Sequence, residues 1–326
     1  MVPHVAIVGC GLIGQKRAKT LGGAKLVACA DIVGARAESL AKPHGALATS
    51  DWREAIRRED VSLVIVATTN NLLAEITIEA LQSGKHVLVE KPAAISVEEV
   101  DRVIAAQKKS GCLVRVGFNH RYHPALLKAK SLMDSGELGD MMFVRGRYGH
   151  GGRIGYDREW RADVKLSGGG ELIDQGVHLI DLARLFVGDI ARSSGHAQTY
   201  FWDMPVDDNA FMTLISKGGQ TAFLHVSCTE WKNLFSLEIY GRTAKLHIEG
   251  LGGSYGLERL AFYKMLPEMG PPETTTWEYP RGDRSWEIEM TEFLEDIEGG
   301  RQPAAGLADA RAALEVVETI YRGTVR

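Results

Sequence analysis

Three stretches of the 326-residue sequence hold residue types whose spacing can do chemistry. In Gly168-Gly-Gly-Glu-Leu-Ile-Asp174-Gln-Gly-Val-His178-Leu-Ile-Asp181, Asp174 and His178 stand four apart, so one helix face would carry both. Asp181, three residues on, could orient the second imidazole nitrogen. A carboxylate beside an imidazole that titrates near neutrality is an acid/base pair, and the three glycines ahead would let a ligand approach closely. The same spacing also suits a buried, satisfied histidine. No Cys/His cluster accompanies it, so no metal is expected. Glu90-Lys91-Pro92 closes an apolar run, where the proline would hold Lys91 as a positioned cation unless it is only a turn lysine facing solvent. Gly9-Cys-Gly11-Leu12-Ile13-Gly14 is a G-x-G-x-x-G between a strand pattern and a helix pattern, which suits a pyrophosphate at a helix N-terminus. Asp31 ends the next strand, where a carboxylate accepts from ribose hydroxyls and repels a 2′-phosphate; capping a helix is its other reading. NAD is thereby expected over NADP, although Arg36 could meet a 2′-phosphate.

The elements that must position these residues follow from periodicity. Apolar runs at His4–Val8, Lys25–Ala30, Val61–Thr68, His86–Glu90 and Leu113–Gly117 lack polar alternation, as strands buried on both faces do. Helical stretches intervene at 14–21, 35–42, 51–57, 72–83 and 96–109, the last capped by Ser96. Repeated βα units predict a doubly wound parallel sheet, an α/β Rossmann domain over residues 1–121. From 122 to 326 the pattern becomes α+β: a helix at 125–134, a strand at 141–148, a long aperiodic loop at 150–170 and a helix at 171–186. Several strands with short turns follow between 193 and 279, then two closing helices, which together predict a large open, mainly antiparallel sheet.

Composition narrows the class. Hydrophobic residues make up 45% and charged residues 25%, the proportions of a globular protein. The net charge of −4 offers no basic stripe for nucleic acid. No run is long enough to span a membrane, the N-terminus has no signal-peptide pattern, and the four cysteines are scattered. A cytoplasmic protein without nucleic-acid or membrane partners is expected.

In this order and at these distances, the glycine-rich turn, Glu90-Lys91-Pro92 and the Gly-Gly-Gly…Asp174-x-x-x-His178 segment resemble the Gfo/Idh/MocA oxidoreductases. Gly117-Phe-Asn-His-Arg121, Gly136-Glu-Leu-Gly139 and Gly299-Gly-Arg-Gln-Pro303 extend the resemblance nearly end to end. It implies NAD(P) and oxidation or reduction of a sugar or cyclitol hydroxyl, with catalytic roles for Lys91, Asp174 and His178. Expected cofactor contacts are Gly9, Gly11, Leu12, Ile13, Gly14, Asp31, Thr68, Asn70, Glu90, Lys91 and Asn119. Ala67-Thr-Thr-Asn-Asn71 departs from the family pattern, which usually places a proline in this turn.

Expected substrate contacts are Lys91, Arg121, Trp160, Arg161, Asp174 and His178. Arg153, Arg158 and Arg161 with Tyr156 and Trp160 suggest a hexose derivative bearing an anionic group, nucleotide-linked or phosphorylated, oxidised at a ring carbon such as C3. Asp157, Glu159 and Asp163 nearly cancel that charge, and an inositol or free-sugar dehydrogenase is the alternative. A dinucleotide-sensing regulator is the competing class, against which the presence of Lys91, Asp174 and His178 argues. A homodimer or homotetramer would cover the second face of the open sheet.

Overall fold

The computed structural model describes residues 2–324; Met1, Val325 and Arg326, the outer ends of the two expected domains, lie outside the described residues. The chain forms two compact units. One runs up to Phe118 and also takes Trp286–Arg311; the other holds Asn119–Ser285 and the residues from Ala312 onward. The single boundary expected at 121/122 is thus corrected, because the segment around the first closing helix belongs with the first unit.

The first unit is a six-stranded parallel sheet of β1 (His4–Val8), β2 (Lys25–Ala30), β3 (Leu47–Thr49), β4 (Leu63–Val66), β5 (His86–Glu90) and β6 (Val114–Gly117). The strand order β3-β2-β1-β4-β5-β6 is that of a Rossmann fold, whose ligand crevice opens beyond the carboxyl ends of the strands. Its helices are α1 (Leu12–Ala18), α2 (Gly34–Ala41), α3 (Trp52–Ile56), α4 (Asn70–Gln82) and α5 (Val97–Ser110). Strand β3 escapes sequence reading because three residues without a β-branched run give no periodic signal. Local chemistry sets the helix ends: Ser96 accepts from the Glu99 N–H at 3.2 Å, and Gly111 stops α5 with φ +71°.

The second unit contains α6 (Pro124–Asp134), β7 (Met141–Gly149), α7 (Val164–Ser167) and α8 (Val177–Val187). Strands β8 (Ile190–Gln198), β9 (Asn209–Ser216), β10 (Thr221–Ser227), β11 (Leu234–Gly241), β12 (Ala244–Glu249), β13 (Glu258–Lys264) and β14 (Glu273–Tyr279) follow, and α9 (Ser285–Gly299) and α10 (Leu307–Gly323) close the chain. The eight strands form one sheet, β14-β13-β12-β11-β7-β10-β9-β8, antiparallel except where β7 meets β10. Strands β9, β11 and β12 bury alternate residues, so one face makes the core while the other stays open. Helix α8 lies on the buried face: a Cβ on Gly146 of β7 would sit 3.3 Å from the Leu179 side chain. Two expectations change here. The segment 150–170 is not aperiodic, since it holds helical turns at Tyr156–Arg158 and Trp160–Ala162 before α7. The helix expected at 171–186 opens with a π-helical turn, Leu172–Gly176.

Helix α9 joins the first unit through buried charge. The guanidinium of Arg17 on α1 donates to Glu90 at 2.6 Å and to Glu289 on α9 at 2.5 Å, beneath the Trp286 ring at 4.3 Å. Arg115 on β6 donates to Glu292 at 2.8 Å and Asp296 at 2.6 Å. Both arginine side chains are at most 1% exposed. Burial opposes the charge on Arg17, but Glu289 and Glu90 outweigh it and raise its pKa, while burial pushes the Glu289 carboxyl up. Arg17→Met would leave two buried carboxylates without their counter-charge. Urea denaturation is expected to show a loss of about 3–5 kcal/mol, partly recovered in Arg17→Met/Glu289→Gln. A loss below about 1 kcal/mol would show that water reaches the cluster.

Candidate active site

At the carboxyl end of β1 the chain turns under tight steric control. Gly9 has φ +94°, and a Cβ there would lie 2.3 Å from the Ala67 carbonyl oxygen. A Cβ on Gly14 would fall 1.9 Å from the Gly9 oxygen, so α1 packs against the turn itself. Gly11 differs, because a Cβ there meets nothing within 4 Å. The two outer glycines serve packing, and the middle one leaves a cradle at the helix N-terminus for a pyrophosphate. Asp31 is half-buried, with Oδ2 accepting from the Cys10 N–H at 2.8 Å and Oδ1 from the Val33 N–H at 2.8 Å. It fastens the turn to the end of β2, and Val33 occupies the N-cap position of α2. Leu12 and Ile32 stand 71% and 92% exposed on this edge, apolar surface of the kind a nucleoside covers. Thr68 and Asn70 follow β4, Asn70 as the buried first residue of α4. The residues present fit NAD.

Lys91 follows β5 in a turn closed by the Ala93 N–H on the Glu90 carbonyl at 2.9 Å, and the Lys91–Pro92 peptide is cis. Ala93 holds φ +73°, a conformation non-glycine residues rarely adopt and one that clusters at functional sites. Glu90, expected against the cofactor, instead directs its carboxylate to Arg17.

The second unit gathers Asp174 and His178, both buried. They straddle the junction of the π turn and α8, a local widening frequent at functional sites. Asp174 accepts from Arg161 Nε at 2.9 Å, and the Arg161 guanidinium lies 4.6 Å from the Trp160 ring centroid. Burial opposes the Arg161 charge, but Asp174 more than restores it and raises its pKa. The His178 ring stacks on His120 with centroids 3.8 Å apart, and Tyr148 stands edge-on to both. Burial, followed by Tyr255, lifts the Tyr148 hydroxyl well above its usual range. Just before Asp174, the Glu171 carboxylate takes the Tyr156 hydroxyl at 2.8 Å and lies 3.4 Å from His150 Nε2. Although burial works against the His150 charge, Glu171 raises its pKa overall. Sequence reading named none of Glu171, Tyr148, His150 and His120 as site residues; the signals were the place of Glu171 directly after the three glycines and that of His120 within Gly117-Phe-Asn-His-Arg121.

Other expected residues have structural partners. Asp181, read as able to orient His178, has both oxygens on the Arg121 guanidinium. Arg121, expected to touch substrate, is thereby a partner of α8. Asn119, expected at the cofactor, donates to Ser285 Oγ at 2.9 Å and presents its oxygen to His120 Nδ1 at 3.3 Å. The glycine triplet does not make room for a ligand. Gly168 (φ +80°) ends α7, a Cβ on Gly169 would lie 2.2 Å from the Tyr321 hydroxyl, and one on Gly170 would lie 1.9 Å from the Asp207 carbonyl oxygen. Asp207 accepts from the Gly170 and Leu172 N–H groups at 3.0 and 2.8 Å, anchoring the start of the π turn. Burial, partly offset by these bonds, moves its pKa up to about 6. Arg153 and Arg158 border a cavity of about 540 Å³ with Phe201, Trp202 and Trp231.

Comparison with known proteins agrees with this architecture. Residues 4–118 match an oxidoreductase family with an NAD-binding Rossmann fold, and residues 126–247 match its GFO/IDH/MocA C-terminal domain. The chain belongs to the Gfo/Idh/MocA family, and its first unit is the NAD-binding domain. A levoglucosan dehydrogenase from Pseudarthrobacter phenanthrenivorans is 35% identical over 48% of this chain, a match spanning 41% of that relative's length. The scyllo-inositol 2-dehydrogenase (NAD(+)) of Bacillus subtilis is 29% identical over 95% of this chain and 91% of its own. A levoglucosan dehydrogenase solved with NADH shares the fold, with a TM-score of 0.87 at 23% identity, covering 99% of this chain and 98% of that one. No helix among the described residues is long and apolar enough to cross a membrane.

The glycines give a paired prediction. Gly11→Ala is expected to keep stability within about 0.5 kcal/mol while weakening NAD binding on the order of tenfold. Gly170→Ala is expected to lose about 1–3 kcal/mol or more through overpacking. Calorimetric titration with NAD and thermal melts separate the two, and equal behaviour would remove the distinction between cradle and packing glycine.

Proposed function

We propose that the protein is an NAD-dependent dehydrogenase acting on a secondary hydroxyl of a neutral polyhydroxylated ring, a cyclitol or a free or anhydro-sugar. Asp174 and His178, one turn apart and both buried, in a chain whose first unit is the family's NAD-binding domain, carry the reading. Bound NAD supplies the acceptor for the hydride leaving the carbinol carbon. His178 takes the hydroxyl proton as the carbonyl forms, and a neutral imidazole suits that task near neutral pH. Lys91 donates to the same oxygen and stabilises its developing negative charge. Asp174, balanced by Arg161, accepts from a neighbouring hydroxyl and fixes the ring's orientation.

The neutral substrate is favoured over the anionic hexose because two of the three candidate arginines, Arg153 and Arg161, already face carboxylates. Arg161 meets Asp174 at 2.9 Å and Glu159 at 3.8 Å, and Arg153 meets Glu159 at 2.7 Å. Relatives named for inositol and levoglucosan support the same choice. A panel of myo-inositol, scyllo-inositol, levoglucosan and glucose against glucose 6-phosphate and a nucleotide-linked glucose, followed by NADH absorbance, tests it. A kcat/KM at least about tenfold higher for a neutral compound is expected; preference for an anionic one would restore the phosphorylated or nucleotide-linked reading.

His178→Ala and Lys91→Ala should each lower turnover by about two to four orders of magnitude and leave NAD affinity nearly unchanged. Near-normal turnover in either variant excludes that residue from the chemistry. Asp31→Ser should shift the preference from NAD toward NADP by on the order of tenfold; a native preference for NADP would contradict the role given to Asp31.

We also propose self-association through the open sheet face. There Phe223 is half-exposed beside Arg145, Arg147 and Glu238 around a groove of about 450 Å³. A surface bearing both charge signs around an apolar centre can complement a second copy of itself across a two-fold axis. A cytoplasmic location is supported by four free cysteines. Light scattering should give a dimer or tetramer, and Phe223→Lys should shift it toward monomer; a monomeric wild type refutes this interface.

A further inference from the structure

We propose that the aromatic-walled cavity of the second unit is a further carbohydrate subsite: it takes a neutral sugar ring joined to the ring being oxidised, so that the substrate is a disaccharide. The proposal rests on the reading of Asp174 and His178 as the site that oxidises a neutral polyol.

The cavity of about 540 Å³ lies within the second unit and has the size of a small-molecule site. Phe201 stands edge-on to both tryptophans of its wall, with centroids 5.1 Å from Trp202 and 5.0 Å from Trp231. Phe201 is 54% exposed and Trp231 74%, apolar surface that a soluble chain rarely clusters without a ligand to cover it. These rings are held in place from below. The buried Asp208 carboxylate accepts from three consecutive N–H groups, those of Tyr200, Phe201 and Trp202, at 2.9, 2.7 and 3.0 Å. The Trp202 indole N–H donates to the Cys228 carbonyl at 3.0 Å. Gly152 has φ +67°, and a Cβ there would lie 2.4 Å from the Trp202 ring. Trp231 holds φ +58°, a backbone conformation that persists only where the surroundings impose it. The Glu230 N–H on the His150 carbonyl at 3.1 Å ties its turn to the opposite wall. Such a platform loses little freedom when a ligand stacks on it.

The chemistry of the wall selects a sugar. A pyranose offers a patch of C–H groups to an aromatic face, and hydroxyls around its edge that both donate and accept. Asp157 and Arg158 line the cavity with one acceptor and one donor group of opposite charge. Arg153, also in the wall, is balanced by Glu159 at 2.7 Å. A phosphate would face Asp157 and an ammonium would face the arginines, so a neutral ligand fits best. One residue links this cavity to the acid/base side. The Tyr156 ring packs against Trp202 at 5.6 Å between centroids, while its hydroxyl donates to Glu171 at 2.8 Å, three residues before Asp174. Two ligand positions separated by one side-chain layer suit two directly joined rings.

Calorimetric titration of the full chain with cellobiose, maltose and glucose tests the proposal. At least one disaccharide is expected to bind about tenfold more tightly than glucose. Trp231→Ala and Phe201→Ala should each remove most of that margin, and Trp231→Phe, which keeps an aromatic face, should retain most of it. Thermal melts of the variants check that each remains folded. Disaccharides that bind no more tightly than glucose, or a margin that survives both alanine variants, overturn the proposal. So does a Trp231→Ala variant that changes oligomeric state in light scattering while the wild type shows no disaccharide margin, since the rings then cover a second copy of the chain. If the margin is present and depends on the aromatics but no sugar reduces NAD, the subsite stands and the dehydrogenase reading fails. If glucose or an inositol is oxidised and no margin exists, that reading stands and the subsite fails.

Discussion

The first unit depends on one buried ion cluster. Arg17 lies on the helix whose N-terminus forms the dinucleotide cradle, Glu90 precedes the lysine turn, and Glu289 comes from a helix 272 residues away in sequence. Two carboxylates and a guanidinium removed from water tolerate little displacement, because each lost contact leaves a charge without partner or solvent. The cluster therefore fixes the cradle and the Lys91 turn relative to each other and returns α9 to the Rossmann unit. Arg115 repeats the device one strand over, with Glu292 and Asp296.

In the second unit the organising constraint is close packing at glycine. Asp207 accepts the first N–H groups of the π turn, and Gly170 permits that contact because any Cβ would strike the Asp207 backbone. The turn then presents Glu171 and Asp174, and α8 carries His178 and Asp181 on the next turn. Gly146 lets α8 press onto the sheet, and the buried His178 ring stands edge-on to Tyr148, which in turn packs against Phe235. The polar residues survive burial because each has an assigned partner: Asp174 with Arg161, Glu171 with Tyr156, Asp181 with Arg121.

Signals that are local in sequence were legible, and those made by distant partners were not. The glycine-rich turn, the Asp31 position, the Glu90-Lys91-Pro92 turn and the Asp174/His178 spacing could be read because each requirement is met within a few residues. The Rossmann order followed from uninterrupted apolar strands, apart from β3, whose three residues leave no period. Arg121, Asn119 and Glu90 were expected at ligands because a sequence shows a charge or amide without its partner; here the partners are 60, 166 and 73 residues away. The glycine triplet was read as room for a ligand, whereas Tyr321 and Asp207, both far along the chain, fill that room. The π turn depends on the Asp207 anchor and leaves no distinct periodicity over five residues.

The central claim is direct hydride transfer from a neutral polyol carbon to NAD. Incubating the protein with NAD and myo-inositol fully deuterated on its ring carbons, then isolating the reduced cofactor for mass spectrometry, tests it most directly. One deuterium per molecule on the nicotinamide ring, matched by one equivalent of ketone, is the predicted result. Reduced cofactor free of deuterium, or none formed from any neutral polyol by protein that binds NAD, would contradict the account.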